Sequence, residues 1–358
     1  MPDINAISAS PFSSSAFDHN LNKGKTLVDM YTNQGIVFKK STGSYTVHSE
    51  DGKVVTCAIS SRLRKRLIYP MRDKSSLPYF RVVDVKDIER VDPVAVGDEV
   101  IFTDATDGTG LITEILPRRS ELTRRVPGPK PLEQVFVANV DQVLTVFAAA
   151  QPKPRWPMLD RYLASAEASE IPAIIVITKL DLVRGKKAER EIIETANSYA
   201  AIGYPVLMTS ATEGDGLAPL KAMLAGKQSA LMGMSGVGKS TLLNAIQPGL
   251  GLRVSEINTR IDKGRHTTTH LEMFPLEMGG TIIDTPGIKL FGLWNTEADD
   301  IPPLFREFVP FLDQCKFSSC SHVHEPGCAV KRAVEQGIIT QQRYDSYLYL
   351  RDHLYTEE

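Results

Sequence analysis

Residues 233–240 have the composition and spacing of a phosphate-binding loop (P-loop). They match the pattern G-x-x-x-x-G-K-[ST], follow a short apolar segment and open a segment of helical character, as the motif requires. Lys239 is expected to reach the β- and γ-phosphates of a nucleotide, and the Ser240 hydroxyl to bind Mg²⁺. The candidate phosphate-binding residues are Gly233, Met234, Ser235, Gly236, Val237, Gly238, Lys239, Ser240 and Thr241.

Two short motifs that follow apolar segments favour guanine as the base. Residues 178–181, Thr-Lys-Leu-Asp, resemble the Asn-Lys-x-Asp guanine motif of GTPases, with Thr in place of Asn. A carboxylate at Asp181 can accept from the ring N–H and the exocyclic amine of guanine together, and adenine offers no such pair. Ser210-Ala211 resembles the loop whose N–H groups bond the guanine oxygen. The candidate base-reading residues are Thr178, Lys179, Leu180, Asp181, Ser210 and Ala211.

Residues 284–287 resemble the D-x-x-G element of GTPases. Asp284 would lie near Mg²⁺, and the Gly287 N–H near the γ-phosphate. Three threonines at 267–269 stand between the P-loop and Asp284, where a switch threonine belongs, and Thr268 is our candidate Mg²⁺ ligand. The base-reading motifs precede the P-loop, whereas in ordinary GTPases they follow it. This order predicts a circularly permuted domain, which is permissible because sheet packing fixes the site and neighbouring termini can be rejoined.

Three cysteines and a histidine within a short stretch form a candidate zinc site. The spacing Cys315-x4-Cys320-x-His322-x5-Cys328 offers the Cys₃His ligand set of structural zinc. His324 is a competing ligand that spacing alone leaves open. Four protein ligands leave no open coordination position, so a single structural Zn²⁺ is expected.

The segments that would position these motifs predict a multidomain chain. Residues 1–30 are polar and Ser-rich and are interpreted as a flexible tail. Short β-like runs over 31–126 predict a small β-barrel of the OB-fold type, followed by a stiff Pro-rich linker at 127–131. Apolar strands alternate with helices over 132–297, which predicts an α/β, mostly parallel sheet. Residues 298–358 are expected to be mostly helical around the Cys/His cluster.

Composition excludes some function classes. The 358 residues are 42% hydrophobic, which excludes wholesale disorder, and no apolar run approaches the roughly 18–20 residues that span a bilayer. No membrane partner is therefore expected. The N-terminal residues show no secretory signal pattern, so a cytoplasmic protein is expected. We also expect a monomer.

The charge is unevenly distributed along the chain. The net charge of −2 excludes a uniformly basic nucleic-acid binder, yet residues 31–131 sum to +4. Basic clusters in this segment are predicted to contact RNA phosphates. The candidate RNA-binding residues are Arg62, Arg64, Lys65, Arg66, Arg118, Arg119, Arg124 and Arg125.

The combination of barrel, permuted GTPase motifs and zinc cluster resembles the ribosome small subunit-dependent GTPase A family, also called RsgA or YjeQ. Further matches are residues 264–269 (Gly-Arg-His-Thr-Thr-Thr), 291–294 (Phe-Gly-Leu-Trp) and 117–120 (Pro-Arg-Arg-Ser). The resemblance implies an OB-fold domain that binds 16S rRNA and a late role in maturing the small (30S) subunit. It also implies hydrolysis of GTP to GDP and phosphate, stimulated by that subunit. Thr178 departs from the family's usual Asn.

The residue that orients the attacking water is a separate question. Ile288 follows the D-x-x-G element where Ras-like enzymes carry Gln, and its side chain cannot hydrogen-bond water. Our hypothesis, supported by the resemblance, is that His266 takes this role once the ribosome orders the switch.

Three alternative functions stay open: an RNA-binding module with a nucleotide sensor, a GTPase of the large subunit, and a metabolic P-loop kinase. A kinase would leave Asp181 and the Ser210-Ala211 pair without a role.

Overall fold

The computed structural model describes residues 32–41, 43–61, 63, 93–105, 107–126, 132–250, 271–285, 293 and 296–354. Several predicted features lie outside these ranges. They are the tail at 1–30, the linker at 127–131, and the residues Arg62, Arg64, Lys65, Arg66, His266, Thr268 and Gly287.

Five strands near the start of the chain close into a barrel, which confirms the predicted OB-type domain. They are β1 (Thr32–Ser41), β2 (Ser44–Ser49), β3 (Val54–Ile59), β4 (Glu99–Asp104) and β5 (Thr109–Ile115). Their order is β1-β2-β3-β5-β4, and β1 also pairs with β4, which closes the sheet on itself. The strands alternate buried and accessible residues because one face of each strand packs into the barrel. Val37, Val47 and Phe102 are fully buried there.

Two further strands form an antiparallel ribbon that the sequence pattern did not reveal. They are β6 (Glu121–Val126) and β7 (Leu132–Ala138), and they pair from Glu121 opposite Ala138 to Val126 opposite Leu132.

The predicted α/β sheet follows. Its strands are β8 (Gln142–Ala148), β9 (Ala173–Thr178), β10 (Val206–Met208), β11 (Gln228–Met232), β12 (Glu272–Pro275) and β13 (Thr281–Asp284). They run in the order β10-β9-β8-β11-β13-β12, with only β12 antiparallel to its neighbour in this part of the sheet. Every residue of β8 and β9 is buried, as expected for parallel strands covered on both faces. The helices between the strands are α1 (Trp156–Ala168), α2 (Lys187–Ile202), α3 (Leu217–Leu224) and α4 (Lys239–Ile246).

The C-terminal region is a small helical module. Its helices are α5 (Val309–Leu312), α6 (Ala329–Glu335) and α7 (Gln341–Asp352), and Phe305, Phe308 and Tyr347 pack in its core. A buried ion pair joins it to the α/β sheet, because Arg343 of α7 lies 2.6 Å from Asp160 of α1 and also bonds both carboxylate oxygens of Glu307. Among the described residues, no helix is long and apolar enough to cross a membrane.

A short segment before β4 connects the barrel to the rest of the chain. Val96 forms a parallel bridge with Val137 of β7, and the Ala138 N–H donates to the Val96 carbonyl at 2.9 Å. Gly97 has a φ of +92°, and a Cβ there would lie 2.1 Å from the Ala138 carbonyl oxygen. Only glycine lets the two backbones approach this closely.

Arg118 stabilises the same junction. Its guanidinium lies 2.6 Å from the fully buried Asp98, donates to the Pro93 carbonyl at 2.8 Å and pairs with Glu121 at 3.1 Å. The side chain is 11% exposed. Arg118 makes four hydrogen bonds within the protein, so the structure favours a structural role for this residue over the predicted contact with RNA.

Candidate nucleotide-binding and zinc sites

The P-loop forms where β11 ends and α4 begins. Its first residue, Gly233, lies so close to β8 that a Cβ there would stand 2.4 Å from the Val146 carbonyl oxygen. Its last glycine, Gly238, has a φ of +95° and is followed by Lys239, the first residue of α4. The loop residues from Met234 to Val237 lie between these two glycines, and Ser240 and Thr241 occupy the first turn of the helix. The loop thus leads directly into the N-terminus of α4, where backbone N–H groups and the helix dipole favour a phosphate.

Two opposite charges are buried beside this loop. The Lys239 ammonium is buried and donates to the carbonyls of Gly233 at 2.7 Å and Met234 at 3.1 Å. Burial lowers the pKa of Lys239, and the neighbouring Asp284 partly opposes that shift. Burial likewise raises the pKa of Asp284, and Lys239 opposes it.

Asp284 has the properties of a group that serves a cation. It ends β13, next to β11, and its Oδ1 atom is buried and has no hydrogen-bond partner among the described residues. A buried carboxylate oxygen without a partner is costly unless a cation or bound water satisfies it. The Ser240 hydroxyl and the Asp284 carboxylate are oxygen donors, the type of group that Mg²⁺ prefers directly or through bound water, so residues of these types fit a magnesium site.

The predicted base-reading loop, residues 178–181, is bonded directly to the P-loop. The hydroxyl of Thr178, at the end of β9, donates to the carbonyl of Val237 and also lies 3.2 Å from the Phe147 carbonyl. Lys179 adopts a left-handed backbone conformation, and its ammonium donates to the Gly236 carbonyl at 2.6 Å and to the Gln151 carbonyl. A Cβ added at Gly238 would lie 3.5 Å from Cε of Lys179. The methylene stem of Lys179 therefore lies along the edge of the P-loop.

The two base-reading motifs are also joined to each other. Ser210, just after β10, donates its hydroxyl to Asp181 Oδ1 at 2.7 Å, and Leu180 and Asp181 lie in a short 3-10 turn. Ala211 follows Ser210 in the same turn region. Gln151 was missed by the sequence analysis because its contribution is a backbone carbonyl, which leaves no signature in the residue type.

The sheet order explains how a permuted chain assembles one site. The strands β10, β9, β8, β11 and β13 are parallel neighbours, so their carboxyl ends meet at one edge. Thr178, Ser210, Gly233 and Asp284 all lie at these ends. The site depends on the spatial order of the strands and not on their order along the chain.

The four predicted zinc ligands converge in the helical module. The ligand atoms of Cys315, Cys320, His322 and Cys328 all lie within 4.8 Å of one another. His322 Nδ1 is 3.5 Å from Cys315 Sγ and 3.4 Å from Cys328 Sγ, and those two sulfurs are 4.0 Å apart. A tetrahedron with Zn–S of about 2.3 Å and Zn–N of about 2.05 Å has S–N edges of about 3.5 Å and S–S edges of about 3.8 Å. The residues therefore fit Zn²⁺, and His324 is not a member of this group.

Hydrogen bonds hold the ligand loop in shape. Glu325 accepts from the backbone and hydroxyl of Ser321 at 2.8 and 2.6 Å, and from the Val323 N–H at 3.2 Å. These bonds hold the pKa of Glu325 well below its usual range. From α7, the Tyr344 hydroxyl donates to the His322 carbonyl at 2.7 Å. The module thus orients its ligands through both the loop and the last helix.

The remaining basic candidates are placed only in part. Arg119 is more than half exposed, and its guanidinium bonds Asp141 at 2.9 Å and the Asn139 carbonyl at 3.1 Å. The backbone of Arg124 and Arg125 lies in β6, opposite Gln134 and Glu133 of β7.

Comparison with known proteins gives one consistent result. A family model described as RsgA GTPase matches residues 115–294. The chain is 43% identical over 322 residues to the small ribosomal subunit biogenesis GTPase RsgA of Gemmatimonas aurantiaca, covering 89% of this chain and 97% of that one. It is 39% identical over 315 residues to RsgA 2 of Bacteroides thetaiotaomicron, covering 88% and 95%.

Solved structures agree. YjeQ from Thermotoga maritima superposes with a TM-score of 0.69 at 33% identity, covering 91% of this chain and all of that one. YloQ, described as a circularly permuted GTPase, superposes with a TM-score of 0.64 at 31% identity, covering 92% and 98%. These two matches cover 91% and 92% of this chain. The chain belongs to the RsgA GTPase family.

Proposed function

We propose that this protein hydrolyses GTP to GDP and phosphate on the small (30S) ribosomal subunit, with stimulation by that subunit, during its late maturation. The relatives are named small ribosomal subunit biogenesis GTPases. The observation that carries the proposal is the buried carboxylate oxygen of Asp284, which has no hydrogen-bond partner among the described residues and lies beside Lys239. The P-loop that leads to Lys239 is itself bonded to Thr178 of the guanine-type motif.

The residues of the site take distinct roles in this proposal. Lys239 and the loop amides hold the β- and γ-phosphates, and Asp181 with the Ser210-Ala211 turn selects guanine. Ser240 and Thr268 would hold Mg²⁺ directly, and Asp284 indirectly. When bound, Mg²⁺ supplies charge neutralisation at the transferring phosphate. The Gly287 N–H would bond the γ-phosphate.

His266 is proposed to orient the attacking water once the subunit orders the switch. We expect His266→Ala to lose most of the subunit-stimulated turnover while retaining affinity for GDP. The matched control is His324→Ala, because His324 is an exposed histidine that is remote from the P-loop in sequence and is not one of the four candidate zinc ligands. Stimulated turnover of His266→Ala equal to that of His324→Ala would remove the role.

The rest of the chain is proposed to bind the subunit. Arg62, Arg64, Lys65 and Arg66, with Arg119, Arg124 and Arg125, would contact 16S rRNA phosphates. The zinc would be structural. We propose a cytoplasmic monomer with domains at 31–126, 132–297 and 298–358, after a tail at 1–30 and with a linker at 127–131.

A titration with separated ribosomal subunits tests the proposal. Phosphate release from GTP is measured at increasing concentrations of small subunits and, separately, of large subunits. We expect turnover to rise with small subunits alone and to fall as salt is raised, because phosphate contacts are salt-sensitive. Stimulation by large subunits instead would identify a GTPase of the other subunit, and binding without turnover would identify a sensor.

A further inference from the structure

The barrel and the nucleotide-binding sheet share a continuous set of paired strands. Lys39 of β1 is the register partner of Glu272 of β12, and its ammonium lies 2.9 Å from Glu272 Oε2. Each side chain of this pair is about one-third exposed. The pair therefore joins the barrel to the nucleotide-binding sheet where β1 pairs with β12.

The row of partners continues from this pair to the nucleotide site. Glu272 of β12 is the register partner of Asp284 of β13, and Asp284 is in turn the partner of Leu231 of β11. Leu231 lies two residues before Gly233, where the P-loop starts. A single transverse row thus links a lysine of the barrel to the carboxylate that would serve Mg²⁺.

Backbone hydrogen bonds also tie β1 to the segment that precedes β4. The Val37 N–H donates to the Asp98 carbonyl at 2.9 Å, and the Gly97 N–H donates to the Val37 carbonyl at 2.8 Å. This Gly97 segment is the one that bridges to β7. In addition, Ile36 and Phe38 of β1 pack against the apolar core that contains Met273 and Ile283 of β12 and β13. A rotation of the barrel would therefore have to move β12 or break the contacts between them.

We propose that Lys39 and Glu272 are positioning residues that couple the orientation of the barrel to the placement of Asp284. The coupling rests on the proposed function in one respect, since the small subunit is the partner expected to bind the barrel. Neither residue touches nucleotide in this proposal. They act by holding β12, which sets the position of β13 and of the carboxylate at its end.

Three variants and one control test the coupling. Lys39→Met removes the charge and keeps the stem, Glu272→Gln removes the opposite charge, and the combined Lys39→Glu and Glu272→Lys reverses the pair. The control is Lys53→Met, which breaks an ion pair of 3.0 Å with Asp51 on the same barrel, where both side chains are more than half exposed. Two quantities are measured: kcat and KM for GTP with saturating small subunits, and the Mg²⁺ dependence of GDP affinity without subunits.

Each single variant should lower subunit-stimulated kcat by about two- to fivefold, the range expected for a partly exposed ion pair, with KM for GTP unchanged. The Mg²⁺ concentration that gives half-maximal GDP affinity should rise by a similar factor. The reversed pair should recover at least half of each loss, and Lys53→Met should match the wild-type protein.

Two results would overturn the coupling. An effect of Lys39→Met without an effect of Glu272→Gln would mean that Lys39 contacts RNA directly. Failure of the reversed pair to recover would show that the ion pair itself is not what matters. If the wild-type protein is not stimulated by small subunits, the proposed function fails, and the Mg²⁺ dependence of GDP affinity then decides the coupling alone.

Discussion

The hydroxyl of Thr178 should contribute measurably to nucleotide affinity. It is buried and donates to the Val237 carbonyl of the P-loop, with the Phe147 carbonyl of β8 also within 3.2 Å. A hydroxyl carries one proton, so the two carbonyls share one hydrogen bond. Thr178→Val keeps the shape of the side chain and removes that bond. Its loss costs about 1–1.4 kcal/mol, and because the bond ties the base-reading loop to the P-loop, we expect GDP affinity to fall about five- to tenfold.

The assay is equilibrium titration with a fluorescent GDP analogue. The control is Thr113→Val, which removes a bond of 3.1 Å from a half-buried threonine to the Ile101 carbonyl, inside the β4–β5 pair of the barrel. It should lower the thermal midpoint and leave GDP affinity unchanged. Thr178→Asn offers two N–H donors, one for each carbonyl, and should bind GDP at least as tightly as the wild-type protein. Thr178→Val with wild-type affinity for GDP would refute the reasoning.

Three further outcomes are expected. Arg343→Met should lower the free energy of unfolding by about 3–5 kcal/mol in urea titrations, because it leaves the buried Asp160 without its cationic partner. The control Arg306→Met breaks a more exposed ion pair with Glu167, and should lower that free energy by about 1 kcal/mol or less. Equal losses in the two variants would contradict this. Asp284→Asn should reduce GTP turnover about 10–100-fold and weaken the Mg²⁺ dependence of GDP affinity. If that Mg²⁺ dependence is unchanged, Asp284 does not contribute to the cation site. Metal analysis of the purified protein should find one zinc per chain, and Cys320→Ala should release it. Zinc retained in that variant would exclude Cys320 as a ligand.

The attachment of the helical module bears on how the domains could communicate. The sequence places the module directly after the D-x-x-G element, which suggests a connection through the chain. In the structure, Arg343 of the module bonds Asp160 of α1, and the Tyr199 hydroxyl of α2 donates to the same carboxylate at 2.6 Å. The module is therefore held by the helices that flank β9, on the base-reading side of the sheet.

Much of the site could be predicted from the sequence because its motifs are local. The P-loop needs glycines at fixed spacing, followed by a lysine and a hydroxyl, and the zinc cluster needs four soft ligands close in sequence. Both patterns carry their own chemistry, and the alternation of apolar strands and helices predicted the elements that hold them.

Other features depended on contacts between residues far apart in sequence. Arg118 has the same residue type as an RNA-binding arginine, and only the buried Asp98 beside it shows that its charge is used inside the protein. The ribbon of β6 and β7 arises from pairing across a Pro-rich segment, and the contribution of Gln151 comes from a backbone carbonyl.

The sequence by itself predicted the chemistry of the chain: a guanine nucleotide, a divalent cation and a structural zinc, each indicated by residue types at short spacing. The tertiary structure decided how these parts are connected. It placed motifs from a permuted chain at one sheet edge, and it brought Lys39, Glu272 and Asp284 into one row of paired strands. The physical reason is that strand pairing and ion-pair partners are set by packing over long sequence separations, which leave no pattern in a single stretch of residues.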